Sequence, residues 1–83
     1  MGTTINARII KAIRVANLAG WNPTRLFLPA SMEDEILALG ASDLGDDLYS
    51  DVNEIGPRKA IEKHGNRLFG LEVVWDASEF RVE

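Results

Sequence analysis

Glycine and proline cut this chain into short lengths, and that punctuation limits its architecture more than any other feature. Gly20, Asn22-Pro23, Pro29, Gly40, Gly45, Gly56-Pro57 and Gly65 leave one long uninterrupted stretch near the start and otherwise room only for short helices and strands. No segment approaches the length of a membrane span. With 83 residues, the chain is expected to form a single small domain over residues 1–83, with one modest core.

The long stretch reads as a helix from Thr4 to Leu18, capped by Thr3 or Thr4 and ended by Gly20. Ile5, Ile9, Ile13 and Ala16 recur at helical spacing and form one apolar stripe. After Asn22-Pro23, residues Thr24–Leu28 predict a short strand closed by Pro29. Ser31 with Asp34 three residues later has the form of a capping box, which predicts a second helix over Ser31–Leu39 with Gly40 as its terminator. In residues 41–56, Leu44, Leu48, Val52 and Ile55 recur at roughly helical spacing, but Gly45, Asp46-Asp47, Ser50 and Asn53 spoil any long period, so a loop with one or two helical turns is expected. Pro57 at a first helical position and Gly65 predict a short helix through His64. The Leu- and Val-rich run Arg67–Asp76 reads as the main strand, in which Trp75 alternates with Leu71 and Val73 towards the core. A turn near Ala77-Ser78 would return Phe80–Val82 against it as a hairpin. The expected fold is α+β, a small α/β sandwich with helices covering one face of a small sheet.

Charge is sorted along the same chain. Residues 1–32 carry Arg8, Lys11, Arg14 and Arg25 and no acid, whereas residues 33–56 carry eight acids and no base. Arg8, Lys11 and Arg14 step by three and make a basic ridge on the first helix. Glu33, Asp34 and Glu35 fall in the first turn of the second predicted helix, where the macrodipole favours them. Asp43, Asp46, Asp47, Asp51 and Glu54 have no such local reason. Trp21 sits in a Gly-Trp-Asn-Pro turn and either caps the core or anchors an interface; with the ridge and these acids it makes up the interaction candidates. A formal net charge of −4 argues against non-specific nucleic-acid binding.

Chemistry-bearing patterns are absent. There is no cysteine, which removes disulfides, thiolate metal sites and cysteine nucleophiles together. The acids at 43–54 do not follow the alternate-position pattern of an EF-hand loop. His64 is the only histidine and is expected at the carbonyl end of its short helix. No glycine-rich phosphate loop or nucleophile–histidine arrangement is recognisable, so neither an enzyme nor a cofactor is expected. The N-terminal stretch has no signal-type apolar run, so a cytoplasmic location and not a membrane one is expected.

Two stretches carry a resemblance. Asn22-Pro23-Thr24-Arg25-Leu26-Phe27-Leu28-Pro29-Ala30-Ser31, running into Glu35-Ile36-Leu37-Ala38-Leu39-Gly40, and Leu68-Phe69-Gly70-Leu71-Glu72-Val73-Val74 together resemble the axial-domain segment of the tailed-bacteriophage major coat-protein and encapsulin fold. The resemblance spans about residues 10–76 and implies a small α/β sheet flanked by helices. The family often has Pro where Glu72 stands, and its shell-forming arm, extended loop and peripheral domain do not fit in this length. The resemblance therefore implies a small phage or prophage protein acting in virion structure or assembly through protein–protein contacts, with virion proteins or further copies of itself as partners. The alternative is a phage- or plasmid-encoded inhibitor that docks its acidic 43–54 face on a basic host protein.

Overall fold

The computed structural model describes residues 4–83. Helix α1 (Ile5–Leu18) starts at Thr4, whose Oγ1 accepts a hydrogen bond from the backbone N–H of Ala7 at 3.2 Å. Thr3, the other candidate cap, lies outside the described residues. The apolar stripe is inward: Ile5, Ile9 and Ala16 are buried and Ile13 packs against the core. At the other end Gly20 takes φ +93°. The Gly20 N–H then donates to the Asn17 carbonyl and the Trp21 N–H to that of Ala16, each at 3.1 Å. This is the left-handed helix stop that glycine makes cheap.

Strand β1 (Arg25–Leu28) follows the Asn22-Pro23 break. The second helix differs from expectation. Ser31 lies inside a 3₁₀ turn (Ala30–Met32) and makes no capping bond, and α2 is only Glu33–Leu37, with Ala38 as its C-cap. Gly40 does not terminate it but opens the next helix from an extended conformation. Pro29 supplies the extended residue before the 3₁₀ turn, so the turn starts earlier and tighter than a capping box would set it.

Residues 41–56 are not a loop with a stray turn. They form α3 (Ala41–Leu44) and the ten-residue α4 (Asp46–Ile55), and α5 (Pro57–Lys63) comes directly after. Gly45 at φ +87° and Gly56 at φ +92° each end one helix and start the next. Each is a one-residue joint that an L side chain would strain. Val52 is buried, and Leu48 and Leu44 pack against the core, so the helical spacing of these three residues is the apolar edge of the two helices.

The expected strand over 67–76 is two strands, β2 (Arg67–Leu68) and β3 (Leu71–Trp75), paired antiparallel with Leu68 opposite Leu71. Phe69 and Gly70, at φ +52° and +82°, form the two-residue connection, the geometry hairpins favour. Strand β4 (Arg81–Val82) does not pair back on β3 as predicted. Both edges of β3 are taken, by β2 on one side and by β1, in parallel, on the other. The chain therefore turns at Asp76 (φ +60°), crosses the end of β1 where the Ala77 N–H donates to the Leu28 carbonyl, and pairs antiparallel on the free side of β1. The sheet order is β2-β3-β1-β4.

One sheet face is buried and the other is not, so the α+β arrangement with helices on one face is the observed one. Leu26, Leu28, Leu68, Leu71 and Val73 point inward and meet Ile5, Ile9, Met32, Ile36, Leu39 and Ile61. On the opposite face Arg25 pairs with Glu72 across strands, and the Arg81 guanidinium stacks 4.2 Å from the Phe27 ring. No helix among the described residues is long and apolar enough to cross a membrane.

Candidate protein-binding cleft

Helix α1 buries one stripe and leaves its flank open. Between that flank and the C-terminal strand lies a cleft of about 470 Å³, lined by Arg8, Lys11, Val15, Ala16, Trp21 and Phe80, with Ala12, Ala19 and Val82 completing it. Its position follows from local chemistry. Small residues at 12, 16 and 19 leave a depression on the helix. The glycine stop folds Trp21 back beside Ala16, and β4 brings Phe80 and Val82 to the other wall. Val15 is 57% exposed, Trp21 43%, and Leu18, just beyond the lining, 89%. Exposed apolar side chains thus border a concave site, the kind of surface to which ligands and protein partners commonly bind.

The rim is basic. Arg8 lies 5.1 Å above the Phe80 ring and 3.8 Å from Glu35, so its partner is an α2 carboxylate and not the acidic 43–54 segment. Lys11 lines the cleft and, like Arg14, makes no ion pair among the described residues. The structure thus brings Arg8, Lys11 and Trp21 together, and leaves Arg14 outside the lining.

The five acids separate into two kinds. Asp43 accepts a hydrogen bond from Asn6 Nδ2 at 2.7 Å, tying α3 to the start of α1. Asp51 is held by α5: His64 Nε2 lies 2.6 Å from Asp51 Oδ2, and Lys63 Nζ is 3.3 Å from the carboxylate. The His64 hydrogen bond, with help from Lys63, keeps the Asp51 carboxyl below the usual carboxylate range. His64 therefore does more than sit at a helix end: its backbone N–H closes α5 onto Ala60 and Ile61, and its ring braces α4. Asp46, Asp47 and Glu54 remain without an ion pair among the described residues and occupy the exposed side of α4, beside Tyr49. No group of three or more metal-ligating side chains occurs among the described residues.

Two features escaped the sequence reading. Phe80 and Val82 belong to the cleft only because β4 pairs with β1, a long-range choice without a local signal. The other is Arg58. It donates to Glu33 of α2 and, through both terminal nitrogens, to Asp76 after β3, and it stacks 5.1 Å from the Trp75 ring. These hydrogen bonds raise the Arg58 guanidinium above its already high range and lower the Asp76 carboxyl. Arg58 is a clamp between elements and lies away from the cleft.

No protein-family model, curated protein or solved structure matches this chain.

Proposed function

We propose that this chain is a small non-enzymatic protein of phage or prophage type that serves in virion structure or assembly by docking on other proteins. The observation that carries the docking half of this reading is the cleft beside α1, where the half-exposed Trp21 and Val15 form an apolar floor under a basic rim of Arg8 and Lys11. Burial of an aromatic anchor in such a site supplies affinity, and the flanking charges set orientation and association rate. The virion setting is supported by the resemblance of residues 22–40 and 68–74 to the coat-protein fold. The test is co-sedimentation with the proteins encoded beside it, at low and high ionic strength. Salt-sensitive binding to a coat, portal or tail protein is expected, and Trp21→Ala is expected to weaken it by about 10- to 100-fold. A strict monomer under both conditions, alone and in the mixture, overturns the reading.

The exposed acids of α4 favour a second reading, an inhibitor that presents Asp46, Asp47 and Glu54 to a basic host protein. Capture of one basic host protein, lost with Glu54→Lys and unaffected by Trp21→Ala, would decide for it.

A further inference from the structure

Ion pairing within the molecule leaves a particular remainder. Arg8, Arg25, Arg58, Lys63 and Arg81 all have carboxylate partners, so the acids they touch are neutralised in turn. Among the described residues the helix charges without an ion pair are Lys11 and Arg14 on α1, Asp34 on α2, Asp46, Asp47 and Glu54 on α4, and Lys59 and Glu62 on α5, with Asp43 engaged by Asn6; the groups of one sign on one helix are the bases of α1 and the acids of α4. The two sets do not meet within one molecule. Each borders exposed apolar groups: Val15, Leu18 and Trp21 on the α1 side, Tyr49 on α4.

We infer that the cleft beside α1 takes the outer face of α4 from a second copy of this chain. On α4, Asp46, Ser50 and Glu54 stand at i, i+4 and i+8 and form one exposed ridge, with Asp47 on one flank and Tyr49 on the other. A helix presenting a ridge of carboxylates with an aromatic ring on its flank matches a groove with an apolar floor and a basic rim. The match in sign is between two surfaces of the same sequence. A two-fold contact of cleft against cleft would instead oppose Lys11 and Arg14 to their own copies. The favoured contact therefore joins unlike patches, each copy offering one of each. This inference rests on the docking role proposed above and names its partner.

Sedimentation of the full chain over a wide concentration range tests it. Concentration-dependent association is expected at about 0.02 M salt and reversal to monomer at about 1 M, where screening reaches only a few ångströms. Lys11→Glu and Glu54→Lys are each expected to weaken self-association by at least about tenfold. Glu54 lies in the last turn of α4, where the macrodipole favours a base, so that variant should keep its fold. Circular dichroism checks both variants. Mixing the two restores association, because each variant carries the charge that the other's altered patch requires. A wild-type chain that stays monomeric at all concentrations and salts overturns the inference. So does association that neither variant changes, or that mixing fails to restore. Self-association and binding to a virion protein are read in separate mixtures, so loss of the first leaves the second to be judged on its own result.

Discussion

Arg58 shows how much one side chain can organise in a domain this small. Its guanidinium reaches α2 and the turn after β3 while covering Trp75, a geometry that requires a planar fork with several donors. Arg58→Lys is expected to recover only part of the thermal stability lost by Arg58→Ala, because an ammonium cannot serve both carboxylates in the same plane. Melting curves of the two variants check this. In the core, Ile9 is fully buried against both sheet and helices. Ile9→Ala should cost about 2–5 kcal/mol in denaturant unfolding, the sum of lost transfer energy and the cavity left behind. Removing the Thr4 cap by Thr4→Ala should cost about 1 kcal/mol.

Among the elements, α1, β1 and α5 were legible because their signals are local. An apolar stripe at helical spacing, a proline at N1 and a glycine stop each act within a few residues. The interval 41–56 was not legible, because Gly45 and Gly56 interrupt the period while acting as joints between helices. Nor was the split of residues 67–75: a Leu- and Val-rich stretch hides a turn whose only mark is Gly70. That turn gives an element-level expectation. Gly70 holds φ +82° with open space where a Cβ would stand, so Gly70→Ala should lower stability by about 1–2 kcal/mol through backbone strain alone. Urea unfolding measures it, and an unchanged midpoint would mean that the hairpin turn adapts. The cleft was half legible. Trp21, Arg8 and Lys11 stood out by type and spacing, whereas Phe80 and Val82 reach it only through the sheet order.

For the molecule as a whole, acid stability follows from two carboxyls held low, Asp51 by His64 and Lys63, Asp76 by Arg58. Each folded-state value lies below the ordinary 3.8, so the unfolded chain binds more protons in that interval. The stabilisation is complete above about pH 4 to 5 and is lost as pH falls through the lowered folded values. Thermal unfolding from pH 7 to pH 2 should show that loss on the acid limb, and Asp51→Asn or Asp76→Asn should each flatten it. The parallel contact of β1 with β3 has a different consequence, one of timing. Arg25 stands opposite Glu72 across a stretch of chain that contains α2 to α5, a long closure whose entropy opposes the contact. The β1–β3 pairing is therefore expected among the late steps of folding, and refolding followed by stopped-flow fluorescence checks this.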